Sequence, residues 1–159
     1  MSRLRSIPEG EHDTLSLDMS MVEVFSSIDR PDVAQQLIDN ASDCNLSARS
    51  RALFAEALSK SRAYIPLAIF EALATDSLCE VKSWAIRGPA RFPFQSVSST
   101  VLQAVHPPPI EDSLRTGYVC ARVQDSAFEV LAKHGQIALL LRPENRPKYF
   151  FHTALERLL

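Results

Sequence analysis

Trp84, Arg87 and Arg91 lie at i, i+3 and i+7, so a helix continuing through Pro89 would place them on one stripe. An indole beside two guanidinium groups can hold a carboxylate or a phosphate, because the planar forks donate paired hydrogen bonds while stacking on the ring. The same residues also have a purely structural reading. In it Trp84 belongs to the core and the arginines lay their aliphatic stems over it. Ser99 and Gln103 mark a second surface, the uncharged outer face of a helix over 96–105. The candidate binding residues are therefore Trp84, Arg87, Arg91, Ser99 and Gln103. No catalytic residue, metal ligand or cofactor is assigned.

Other reactive side chains are weighed in the same way. His12, His106, His134 and His152 show no HExxH spacing and no local cluster with acids. His134 falls at a helix C-terminus, where a positive imidazole suits the helix dipole. His152 and Glu156 are four apart on a final helix, an arrangement that ordinarily makes an exposed ion pair. Cys79 falls in a first helical turn, where the dipole lowers a thiol pKa. With no nucleophile motif around it, Cys79 reads as a small buried filler. No nucleophile, base and orienting group come together by local spacing, so a non-enzymatic protein is expected.

The elements that position these residues are bounded by composition. At 159 residues the chain is one domain's worth, and a globule of that size buries roughly 70% of its unfolded surface. The three cysteines, Cys44, Cys79 and Cys120, are odd in number and widely spaced without a CxxC pair. They suggest neither a disulfide framework nor a thiolate zinc site, and favour a reducing, cytoplasmic setting. The four glycines, Gly10, Gly88, Gly117 and Gly135, allow neither GxGxxG nor a P-loop. No stretch approaches the roughly 20 apolar residues of a membrane span, so no membrane association is expected. The net charge is −2, yet residues 1–45 carry three Arg against nine Asp and Glu, leaving the rest mildly basic.

Along the chain, residues 1–15 read as a mobile lead-in and 16–159 as a single helical domain. Apolar spacing predicts helices over about 18–28, 31–41 and 47–60, the last capped by Ser47. Ile65 to Ala74 forms a nearly uncharged helix. Ser77 and Glu80 have the spacing of a capping box for the helix that carries Trp84. Val97, Val101, Leu102 and Val105 point inward from helix 96–105. A short helix near 110–118, a strongly amphipathic one over 122–134 ended by Gly135, a buried one over 137–141 and a terminal one over 148–159 complete the pattern.

Residues Ala48 to Leu73 written over Glu80 to Val105 match at a 32-residue offset, and the segment from Arg122 continues after a 42-residue step. Periods of this size mean stacked helical hairpins, because one hairpin cannot bury its apolar face alone. Over about 46–141 the chain resembles bacterial HEAT-like and leucine-rich-variant repeat proteins, whose units open on a D..VR..A pattern. The matching stretches are DSLCEVKSWA at 76–85 and ARVQDSAFEVLAKHG at 121–135. The resemblance implies a short α-solenoid and carries over no functional residue. The alternative is an irregular all-α bundle.

An all-α scaffold of this kind is expected to bind a protein partner, taking a peptide or helix in a weakly charged groove of helices 65–74 and 96–105. Nucleic acid is the alternative partner, since some HEAT-like folds hold DNA or RNA on a basic face. The basic residues of 46–105 fall instead on helices 47–60 and 80–91 and their loops.

Overall fold

The computed structural model describes residues 20–105, 114–140 and 142; among them every regular element is a helix and none is a strand. The lead-in over 1–15, the residues with His12, His106 and His152, and the terminal helix over 148–159 lie outside the described residues. Helix α1 covers 20–27. It is followed by α2 (Pro31–Ser42), α3 (Ala48–Lys60), α4 (Leu67–Leu73) and α5 (Cys79–Arg87). A 3-10 turn over Gly88–Arg91 leads to α6 (Phe94–Val105), α7 (Leu114–Lys133) and α8 (Ile137–Leu140). Among the described residues no helix is long and apolar enough to cross a membrane.

Local chemistry explains most boundaries. Pro31 opens α2, where its missing N–H costs nothing. Ser47 accepts the Ser50 amide at 3.1 Å and starts α3. Gly135, at φ 68°, ends α7 while Gln136 N–H donates to Leu131 O at 2.9 Å, closing the last turn. Several boundaries differ from expectation, and α4 opens at Leu67 rather than Ile65. The cap of α5 is not the Ser77–Glu80 box: Asp76 Oδ1 accepts the Leu78 amide at 2.8 Å, and the helix begins at Cys79. The helix carrying Trp84 stops at Arg87, because Pro89 supplies no amide and the chain tightens into the 3-10 turn. Finally, α7 runs unbroken through residues expected to separate two helices.

Helix α5 has two buried faces. Val81 and Ala85 join a core built from α1, α2, α3 and α4, including Val22, Leu37, Leu58 and Phe70. Cys79 and Ile86 join a second core with Val97 and Val101 of α6 and Val123, Ala127 and Leu131 of α7. Helix α3 packs between α2 and α5, and α5 packs between α3 and α7. Residues at the start of α5 face the start of α3, and Arg91 just beyond α5 bonds the last carbonyls of α3, so these helices run in the same direction. Ser83 meets Ser126 and Arg87 meets Glu129, so α5 and α7 are parallel as well. Between α3 and α4 the connector is extended: Ser61, Ala63 and Ile65 are buried while Arg62, Tyr64 and Pro66 are exposed. On α6, Val97, Val101 and Val105 point inward as expected, but Leu102 is 38% exposed.

Arg51 joins three segments. Its side chain is buried, Nε donates to Ala41 O at 3.1 Å at the end of α2, and Nη2 pairs with the Asp76 carboxylate before α5. Arg51→Ala would leave Asp76 without its counter-charge in a largely buried position, and is expected to cost roughly 3–5 kcal/mol in urea unfolding. A loss below about 1 kcal/mol would show that the pair is solvated.

Gly88 is set by packing. A Cβ there would sit 2.1 Å from Phe70 Cε1, and Phe70 is completely buried. Gly88→Ala should therefore destabilise by about 1–3 kcal/mol through overpacking. Combining it with Phe70→Leu, which removes the ring edge, should be less destabilising than the sum of the two changes. Strict additivity in urea titrations would show that the two sites do not compete for space.

Candidate binding surface along α3 and α5

Trp84 projects from α5 toward α3 and is half-buried. Lys60 Nζ lies 5.3 Å and Arg87 Cζ 4.7 Å from the centroid of its ring, so two cations flank the indole. Arg87 is also anchored on α7: Nε donates to Glu129 Oε2 at 2.7 Å and Nη2 to Oε1 at 3.2 Å, a two-pronged pair. Lys60 Nζ meets Glu56 Oε1 at 2.6 Å.

Arg91 is parted from that stripe by the 3-10 turn. Its guanidinium turns to the C-terminus of α3, donating to Ser61 O at 2.7 Å, Ser59 O at 2.6 Å and Leu58 O at 3.3 Å. Ser59 O and Ser61 O lie where the helix offers no further amide, while Leu58 O also takes the Ser61 amide at 3.2 Å, and the cation meets the negative end of the helix dipole. Burial pushes the Arg91 pKa below its ordinary value. The structure thus keeps Trp84 and Arg87 together and sends Arg91 elsewhere, with both guanidiniums engaged by the protein itself. Ser99 and Gln103 are exposed on α6, beside the exposed Leu102.

Two hollows border α3. One, of about 290 Å³, is lined by Arg49, Leu53 and Glu56 of α3 and Glu80 and Trp84 of α5, mixing both charges with an indole wall. The other, of about 250 Å³, is an apolar cleft between α1 and α3, formed chiefly by Met21, Phe25, Leu53, Phe54 and Ala57. Leu53 lines both. The apolar cleft is not among the sequence-derived surfaces. The apolar stripe of α1 and the large residues flanking the alanine face of α3 are both visible in the sequence, but nothing local says that these helices meet. Met21 remains 48% exposed and Val24 57% exposed at this edge.

Cys79 is buried, as a filler would be, yet it is disulfide-bonded, against the expectation of unpaired thiols. Cys44 is free and exposed. An odd cysteine count leaves one thiol over but does not forbid a single bridge. His134 sits just past the end of α7 with its ring 5.6 Å from that of Phe94, and its buried Nε2 has no hydrogen-bond partner among the described residues. Among the described residues no group of three or more His, Cys, Asp or Glu side chains could hold a metal ion.

The chain matches no protein-family model, no curated protein and no solved structure.

The Arg87–Glu129 pair has a titrating neighbour. Burial raises the Asp125 pKa, the negative charge of Glu129 raises it further, and Arg87 lowers it. A carboxyl whose folded pKa is raised stabilises the fold at pH values below its ordinary pKa, and that contribution is lost as pH rises through the folded value. At neutral pH the ionised group is thus a net cost. Asp125→Asn should raise the melting temperature at about pH 7, with the gain shrinking toward zero below about pH 4. Melting curves across this range check it, and a difference independent of pH would assign the effect to packing.

Proposed function

We propose that this protein is a non-enzymatic interaction module, a short α-solenoid of the HEAT-like type that takes a peptide or amphipathic helix from a protein partner. The solenoid reading is supported by the parallel run of α3, α5 and α7, and by the packing of α2, α4 and α6 against them in turn. The observation that carries the binding reading is the apolar cleft of Met21, Phe25, Leu53 and Phe54. A groove of this composition matches helix-in-groove recognition, in which apolar side chains at i, i+3, i+4 and i+7 supply the contact. Glu23 and Asp29 are exposed on and just after α1, so basic residues flanking the apolar face suit this partner.

Trp84, with Arg87 beside it, forms the rim of the neighbouring hollow and shares Leu53 with the cleft. Its role is to extend the contact, since Arg87 and Arg91 already spend their hydrogen bonds inside the fold. The outer face of α6, with Ser99, Leu102 and Gln103, is a secondary surface of the same module. The nucleic-acid reading is weaker because Arg51 and Arg91 turn into the fold, while Lys60 and Arg87 are already paired with Glu56 and Glu129.

Selection of a random peptide library on the full chain tests this. Amphipathic sequences with flanking Lys or Arg should be enriched, and their binding should survive high salt. Met21→Glu should weaken binding at least tenfold with the melting temperature unchanged, because an exposed substitution alters stability by no more than about 0.5 kcal/mol. Binding indifferent to Met21→Glu would remove the cleft as the site. Steeply salt-dependent capture of an RNA or DNA oligonucleotide instead would favour the nucleic-acid reading.

A further inference from the structure

We infer, resting on the reading of the apolar cleft as the seat of a partner helix, that the hollow between α3 and α5 receives one basic side chain of that partner. Arginine suits it better than lysine, held between the Glu80 carboxylate and the Trp84 indole. The hollow exists because α3 lines it with two alanines. Ala48 and Ala52 are one turn apart and end at Cβ, so about 290 Å³ stays open in front of Trp84. That is less than the roughly 300–1,000 Å³ of a pocket for a drug-sized ligand, and it suits a single side chain. Glu80 stands four residues before Trp84 on α5, so both reach the hollow from the same helix face.

Charge decides what enters. Glu56 is paired with Lys60 at 2.6 Å, and Arg49 has an interaction of its own. Arg87, beside the indole, holds Glu129 at 2.7 Å. Glu80 is half-buried and, among the described residues, its carboxylate meets no donor. An incoming cation finds its counter-charge there, while the cations already flanking Trp84 are neutralised by their own carboxylates. A guanidinium is favoured over an ammonium because its planar fork donates two parallel hydrogen bonds to one carboxylate and its weaker hydration is easier to remove. An acidic side chain would be repelled by Glu80 and Glu56.

The hollow and the cleft lie side by side along α3. Ser50, Leu53, Phe54 and Ala57 line the cleft, Ala52, Leu53 and Glu56 line the hollow, and Leu53 divides them. A helix seated in the cleft has its axis roughly 8–10 Å from that of α3, so a long side chain is needed to cross Leu53 and reach Glu80. The methylene stem of an arginine covers the leucine on the way. The partner is thus read as an apolar stripe with one basic residue in fixed register beside it.

Trp84 is the single tryptophan, so its emission reports the hollow. Titrating the full chain with N-acetyl-argininamide should change that emission saturably, with N-acetyl-glutaminamide inert. Glu80→Gln, which keeps the shape of the side chain, should weaken the response about fivefold, and Met21→Glu should leave it unchanged. No saturable change, an equal response to the neutral amide, or indifference to Glu80→Gln would overturn the inference. An amphipathic helical peptide of Leu, Ala and Gln, with each flanking position varied in turn, ties the hollow to the partner. Arginine at one flanking position should tighten binding about fivefold over glutamine, and by less than about twofold in the Glu80→Gln protein. Argininamide binding without any arginine preference in the peptide would mean a free cation as ligand and would overturn the partner-borne side chain. The cleft has its own readout: peptide binding that Met21→Glu leaves intact would sink the cleft, and the partner's seat with it, even where argininamide still reports Glu80.

Discussion

A buried guanidinium is the constraint on which the rest of this fold depends. Arg51 has left water, and a desolvated cation is tolerable only where acceptors surround it. Ala41 O and the Asp76 carboxylate supply them, one from the end of α2 and the other from the turn that precedes α5. Three segments distant in sequence must therefore arrive together. The consequence runs onward, because Asp76 also receives the Leu78 amide and so fixes where α5 begins. An apolar residue in place of Arg51 could fill the same volume, but it would not dictate which turn lies opposite.

From that start, α5 mediates between the two cores. Its Val81 and Ala85 face one and its Cys79 and Ile86 face the other, leaving little of its circumference for water. Phe70 packs directly on Gly88 as the helix ends, and Arg91 then caps α3. Side-chain hydrogen bonds and close packing thus set both ends of this helix, while apolar contact sets its sides. Apolar burial alone is non-directional and would tolerate sliding; the polar contacts remove that freedom.

This division explains what could be read from the sequence. Helices α2, α3 and α6 were legible because apolar spacing and local stop signals determine them. The Ser47 and Gly135 caps were legible for the same reason, since each acts within a few residues of itself. The start of α5 was not, because the choice between Ser77 and Asp76 is made by Arg51, far back in the chain. The binding stripe shows the same limit. Spacing placed Trp84 and Arg87 together, but the partner that immobilises Arg87 is Glu129, on another helix, and Arg91 leaves the stripe as soon as Pro89 tightens the backbone. The apolar cleft needs α1 and α3 to meet, which is not a property of any local window.

The connector between α3 and α4 places a different kind of demand on the chain. Loops are usually where a protein accepts extra or missing residues with little penalty. Here Ser61, Ala63 and Ile65 point inward and Arg62, Tyr64 and Pro66 outward, with Arg62 N–H held by Ser26 O at 3.0 Å. A segment with a period of two reverses its faces when its length changes by one. One inserted residue would turn an aromatic phenol toward the space now filled by Ile65 and put the isoleucine in water, whereas two inserted residues would restore the phase. The connector therefore acts as a ruler graduated in pairs, and its tolerance of length change is governed by parity rather than by size.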